Sequence, residues 1–126
     1  MNVAQVFPAP SETRINQALL LSEKFTDGYY RGFNRCARYY QDTTKVIWNG
    51  TAMTGGQFKQ MLPEIQTLAT HFDVHGLDCH PLGSQQLINV SGLVKLGNRK
   101  QQFTQTFIVE KAGTLTYIVS DCFRLV

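Results

Sequence analysis

The stretch "THFDVHGLDCHP", residues 70 to 81, gathers all three histidines of the chain, His71, His75 and His80, with Asp73 and Asp78 between them. Imidazoles and carboxylates at this density have two chemical uses. They can ligate a transition metal, which wants donors converging on one point, or they can move protons as general acid and base. Geometry decides whether they converge. Successive side chains of a strand point to opposite faces, so Phe72 and Val74 would share the face toward the helices, with His71, Asp73 and His75 on the other. A His-x-Asp-x-His triplet along one strand sets its donors in a row, and no histidine outside the segment exists to complete a site. The triplet reads as the polar face of a strand, and no metal and no cofactor is expected. Gly76 marks a bulge. Beyond it Leu77 and Cys79 share one side, and Asp78 and His80 the other.

The elements that must position this strand follow from periodicity. Residues 1–10, "MNVAQVFPAP", read as a flexible leader without the basic-then-apolar pattern of a secretory signal. Ser11 then serves as an N-cap, with Glu12 in the first turn. From Ile15, apolar or small residues at 18, 19, 22, 25, 29, 33 and 36 keep helical spacing. Gly28 and Gly32 predict a break there, giving one long helix and a short second one near "FNRCARYY". "TKVIWNG" predicts a short strand closed by an Asn49–Gly50 turn. "TGGQFKQMLPEI" predicts a third helix after Gly55 and Gly56, disturbed at Pro63. Four strands follow, over about 67–80, 86–96, 101–111 and 114–125, separated by "PLGS", "LGNRK" and "KAGT". Connections this short make antiparallel neighbours. Helices first and a meander afterwards define an α+β domain over residues 11–126, three helices packed on one face of an antiparallel sheet.

Alternation then sorts the strands into two faces. Phe103, Gln105, Phe107 and Val109 turn toward the helices, and Thr104, Thr106 and Ile108 away from them. In the last strand Tyr117, Val119, Asp121 and Phe123 turn inward, and Ile118, Ser120, Cys122 and Arg124 outward. Trp48 reads as core packing of the first strand. Asp121 is the one acidic group inside, and with no histidine facing it, it reads as a hydrogen-bonded structural residue rather than a general base. The outward face mixes Ile, Thr, Cys and Ser with occasional charges. That is the composition of a protein–protein contact surface, and left bare it would be an association liability. A protein partner is expected.

Composition bounds the rest. A chain of 126 residues has the size of one domain, and 43% hydrophobic with 17% charged residues excludes a disordered chain. No apolar run approaches the ~20 residues that a membrane-spanning helix needs. The three cysteines, Cys36, Cys79 and Cys122, are odd in number and form no Cys-x-x-Cys pair. That argues against a secreted disulfide framework and against structural zinc, and points to a reducing compartment. The net charge of +3 is mild. Cations cluster only as Arg31, Arg35 and Arg38 and as Lys95, Arg99 and Lys100, short of the dense stripe of a nucleic-acid binder. Any RNA contact would be auxiliary and electrostatic, through Lys95, Arg99 and Lys100.

Four stretches, "VIWNG" (46–50), "LDCHP" (77–81), "FTQTF" (103–107) and "SDCFRL" (120–125), occur in an order and spacing that resembles the nuclear transport factor two-like family. Within it they look like the export-related small subunits of the messenger RNA export receptor. The resemblance runs from about Phe25 to the C-terminus. It implies the cone-shaped fold of that family and a non-catalytic subunit that pairs sheet to sheet with the nuclear transport factor-like domain of a large, TAP-type subunit. The heterodimer would meet nucleoporin Phe-Gly repeats, shuttle between nucleus and cytoplasm, and collect at the nuclear pore and envelope rim. The family's interface aspartate falls on Asp78 and its interface arginine on Arg124. Ile118, Ser120, Cys122, Thr104, Thr106 and His80 complete the expected interface. Two rivals belong to the same fold. One is a homodimeric carrier of a GDP-bound small GTPase, which uses an acidic loop where this chain has "KLGNRKQQ" with Lys95, Arg99 and Lys100. The other is an enzyme with its pocket inside the cone.

Overall fold

The computed structural model describes residues 11–126; the expected leader, residues 1–10, lies outside them. Helix α1 spans Glu12–Arg31, with the Ser11 side chain accepting from the Arg14 backbone N–H at 3.2 Å. A 3-10 helix covers Phe33–Tyr39. Strands β1 (Tyr40–Trp48) and β2 (Thr51–Thr54) form a hairpin, helix α2 spans Gly55–Leu68, and four long strands follow. These are β3 (Ala69–Leu82), β4 (Gln85–Leu96), β5 (Arg99–Ala112) and β6 (Leu115–Leu125). All six strands make one open sheet in the order β2-β1-β6-β5-β4-β3.

Four features depart from the sequence reading. Gly28 does not break α1; the helix runs on to a C-cap at Gly32. A Cβ on Gly28 would lie 2.9 Å from the Tyr39 hydroxyl, so a side chain there would require that hydroxyl to shift. Pro63 sits inside α2 without ending it. Phe58, Leu62 and Ile65 are buried on either side of it, and their packing outweighs the one backbone hydrogen bond that proline removes. Strand β2 is an extra element, joined to β1 through Asn49 and Gly50, whose φ values of 47° and 91° fit a tight hairpin turn. Finally, β1 pairs parallel to β6, so the sheet is mixed rather than wholly antiparallel. The intervening chain carries β1 back along the far edge of the β3–β6 meander, and no short turn encodes that pairing.

The core lies between the helices and the inner sheet face. Phe25, Tyr29, Tyr30 and Phe33 from the N-terminal helices meet Phe103, Phe107 and Phe123 from the sheet, all of them buried. Tyr29 and Phe107 have ring centroids 4.9 Å apart at 67°, an edge-to-face pair. Trp48 stacks on Phe123 at 4.0 Å and lies 5.3 Å from Phe58, so its core-packing reading holds. Bulges bend the sheet: the β3–β4 register shifts between Val74 and Gly76, and the β5–β6 register between Ile108 and Val109. The first is the bulge expected at Gly76.

Candidate functional site

The outer sheet face is built by register. Asp78 on β3 stands opposite Asn89 on β4, Asn89 opposite Thr106 on β5, and Thr106 opposite Cys122 on β6. Cys122 in turn pairs with Ile47 on β1. One row of side chains thus crosses five strands. A neighbouring row runs Ser91, Thr104, Arg124, and on the other side runs His80, Leu87, Ile108, Ser120, Lys45. Asp78, His80, Cys122 and Arg124 are exposed, while Thr104, Thr106 and Ser120 are half-buried. Thr106 donates to the Asn89 side-chain oxygen at 2.9 Å, which fixes the centre of the face. Ile47 is 45% exposed beside it. The three ion pairs among the described residues are Arg31–Asp27, Lys59–Asp42 and His71–Asp73. Asp78 and Arg124 belong to none of them. They stand on β3 and β6, three strand spacings or roughly 14 Å apart across the sheet, and in different rows.

One expected interface residue is misplaced. Ile118 is fully buried and packs in the core, not on the outer face. The cause is the β6 bulge. Ile108 pairs with Ser120 and Val109 with Ile118, which leaves Val119 as the extra residue and flips the alternation before it. Tyr117 is accordingly turned outward as well, where its hydroxyl donates to Glu110. That bond to a carboxylate raises its pKa. From Ser120 onward the expected sides are correct. Val74, expected against the helices, is 40% exposed at the rim of a cleft beside α1. Ile47, Asn89, Ser91 and Leu87 also belong to the outer face, beyond the residues expected there from the sequence. Alternation within "QQLINVS" carried the signal for three of them; Ile47 required the parallel β1–β6 pairing.

Inside the cone, Asp121 is 1% exposed. Tyr40 donates to its Oδ2, and Gln105 Nε2 donates to its Oδ1 at 2.8 Å. Tyr29 and Tyr40 share a hydrogen bond of 2.6 Å, and Tyr30 donates to Gln105 Oε1 at 2.7 Å. Burial pushes the Asp121 carboxyl up to about 6, against the two hydrogen bonds that pull it down. Burial, followed by the Asp121 charge, raises all three tyrosines. Every carboxylate oxygen has a protein donor, and Tyr29, Tyr40 and Gln105 are themselves at most 3% exposed. This is the buried, hydrogen-bonded aspartate expected from the sequence.

The histidine triplet lies at the surface. His71 Nε2 meets Asp73 Oδ1 at 3.0 Å, with side chains 65% and 44% exposed. Among the described residues, no group of three or more His, Cys, Asp or Glu is placed to hold a metal ion. Lys95, Arg99 and Lys100 are all exposed at the β4–β5 turn, with Lys95 directly opposite Lys100. Like charges facing across a ladder repel, so the turn carries a concentrated positive tip.

Comparison with known proteins agrees with this architecture. The nuclear transport factor 2 (NTF2) domain model matches residues 21–125. NTF2-related export protein 1 of Bos taurus is 30% identical, the match covering 90% of this chain and 91% of that protein. Nuclear transport factor 2 of Oryza sativa subsp. japonica is 32% identical over 83% of this chain and 93% of its own length. Among solved structures, a putative scytalone dehydratase from Novosphingobium aromaticivorans superposes with a TM-score of 0.70. It is 12% identical, with 90% of this chain and 88% of that one covered, a likeness of fold alone. Among the described residues, helices packed on a bent six-stranded sheet make an α+β cone of the NTF2-like kind. The chain belongs to the nuclear transport factor 2 domain family. Its full-length relatives are transport factors, while the fold itself also serves enzymes.

Proposed function

We propose that this chain is a single-domain, non-catalytic small subunit of a heterodimeric nuclear export receptor for messenger RNA. Its outer sheet face pairs with the nuclear transport factor-like domain of a large, TAP-type subunit. The contact residues are Asp78, His80, Thr104, Thr106, Ser120, Cys122 and Arg124, joined by Ile47 and Asn89. The heterodimer meets nucleoporin Phe-Gly repeats, shuttles between nucleus and cytoplasm and gathers at the pore rim. Lys95, Arg99 and Lys100 add at most an auxiliary electrostatic RNA contact.

One observation carries the reading: a part-apolar face spanning five strands, uncovered by the chain's own helices, with Asp78 and Arg124 outside every ion pair among the described residues. Such a face gains most when another sheet desolvates it and supplies the opposite charges. The non-catalytic half of the proposal rests on Asp121. A general base must reach its substrate, and this carboxylate is sealed among protein donors.

Co-purification with the large subunit tests it. Asp78→Arg and Arg124→Glu leave the fold intact, because both side chains are exposed, and each weakens the complex about a hundredfold or more by leaving a charge unpaired in the interface. Unchanged recovery of the large subunit with both variants contradicts the proposal. The homodimeric carrier is the second reading, supported by the rice relative and by the opposite signs of Asp78 and Arg124 on one face.

A further inference from the structure

A second surface lies away from the outer sheet face, along one flank of α1. Two clefts of about 520 and 430 Å³ run from the first turn of that helix to the end of the 3-10 helix. They share Leu21, Lys24 and Lys111, so they form one continuous groove between α1 and the β5–β6 hairpin. Its walls carry four cations, Arg14, Lys24, Arg38 and Lys111, and no carboxylate. All four are exposed, and none is ion-paired among the described residues. Of the three acids of α1, Glu23 and Asp27 face a different cleft on the opposite flank, and Glu12 in the first turn lines neither of the two clefts. Between the cations lie aliphatic side chains in solvent: Leu20 is 58% and Leu115 72% exposed.

We propose that this groove docks an acidic peptide segment of a partner protein, one that interleaves Asp or Glu with aliphatic side chains. Charge complementarity selects the acids, since four cations without a counter-ion hold a standing positive potential over a groove with low-dielectric walls. The leucines select the rest. Removing Leu20 and Leu115 from water favours apolar anchors on the ligand, whereas a nucleic acid gains most from open aromatic faces. The groove's aromatics are spoken for: Phe25 is buried, and Arg38 lies 4.8 Å above the Tyr39 ring while donating to its hydroxyl at 2.8 Å. The chain's own residues 1–10 contain no acid and do not supply the complement.

The test uses the full chain and a fluorescein-labelled peptide of alternating glutamate and leucine, titrated by anisotropy at two salt concentrations. Saturable, salt-sensitive binding is expected. It falls at least about tenfold in the Lys24→Glu/Lys111→Glu double variant and also falls in Leu115→Ser, but is unchanged by Lys95→Glu/Lys100→Glu at the far turn. Amide shifts on titration should concentrate at Leu21, Gln86 and Leu115. Absence of binding, equal loss from the far-turn reversal, or amide shifts spread over the whole surface overturns the proposal. Preferential binding of oligouridylate in the same groove also overturns it, in favour of RNA. None of these outcomes depends on the outer-face partner, so this groove and the proposed export role stand or fall separately.

Discussion

Asp121 holds its proton in the folded chain up to about pH 6 because burial penalises its charge. In the unfolded chain a carboxylate releases that proton near ~3.9. Between those values the native state binds more protons, so stability falls as pH rises. The contribution of the protonated group is complete below about pH 4 and is lost as pH climbs through about 6. The gap corresponds to roughly 3 kcal/mol. Urea melts across pH 4–7 should therefore show the wild type losing stability relative to Asp121→Asn as pH rises; parallel curves would contradict a protonated Asp121. Ile118 offers a second residue-scale check, on the correction in β6. A core site predicts about 2–5 kcal/mol lost on Ile118→Ala, while Cys122→Ala, beyond the bulge on the outer face, should stay within about 0.5 kcal/mol. Equal, small effects would return Ile118 to the surface. At this scale much was legible. The sides of Arg124, Thr104 and Thr106 follow from alternation alone, as does the buried, hydrogen-bonded state of Asp121, and the side of Asp78 follows once Gly76 marks a bulge. Ile118 and Tyr117 were not, because alternation is reliable only until a residue is inserted, and "YIVSD" contains no glycine to announce it.

Among the elements, the four long strands were legible because their separators are tight turns. Gly83, Gly97 and Gly113 occupy positive φ of 60–65° in them, and a two-residue turn leaves the strands no option but to pair antiparallel. Strand β2 and the parallel β1–β6 pairing were not legible, since a four-residue strand gives almost no periodicity and a non-local pairing leaves no local signature. The break expected at Gly28 and the disturbance expected at Pro63 are propensity arguments that tertiary packing overrode. The β6 bulge itself is testable. Deleting Val119 removes the extra residue and leaves Ile118 inward, Ser120 outward and Asp121 inward. The chain should still fold cooperatively, with a flatter sheet. Deleting Thr106 from regular β5 instead throws either Phe103 and Gln105 or Phe107 and Val109 to the wrong side, and should abolish folding. Circular dichroism melts separate the two. Unfolding of both deletions would mean that the bulge is not the device that sets the two faces.

For the whole molecule, the question is which second sheet covers the outer face. Asp78 and Arg124 have opposite signs and sit on the same face, three strands apart. In an isologous homodimer a two-fold axis makes every contact twice, so Asp78 of one copy can meet Arg124 of the other at both ends of the interface. A heterodimer has no such constraint, and each charge is answered by a different group of the foreign chain. Reversing both charges together discriminates the two. The Asp78→Arg/Arg124→Asp double variant, mixed only with itself, restores opposite-sign contacts in a homodimer and should recover self-association that either single reversal has lost. Presented with the wild-type large subunit, the same double variant meets like charges at both positions, so pairing should weaken at least as much as in the worse single variant. Native mass spectrometry of the single and double variants, alone and with the large subunit, reads both cases in one series. Recovery of self-association in the double variant, with no dependence of the large-subunit complex on either charge, makes the chain a homodimer and removes the export-subunit reading. Loss of the heterodimer that the double reversal fails to rescue places the complementary charges on the foreign sheet.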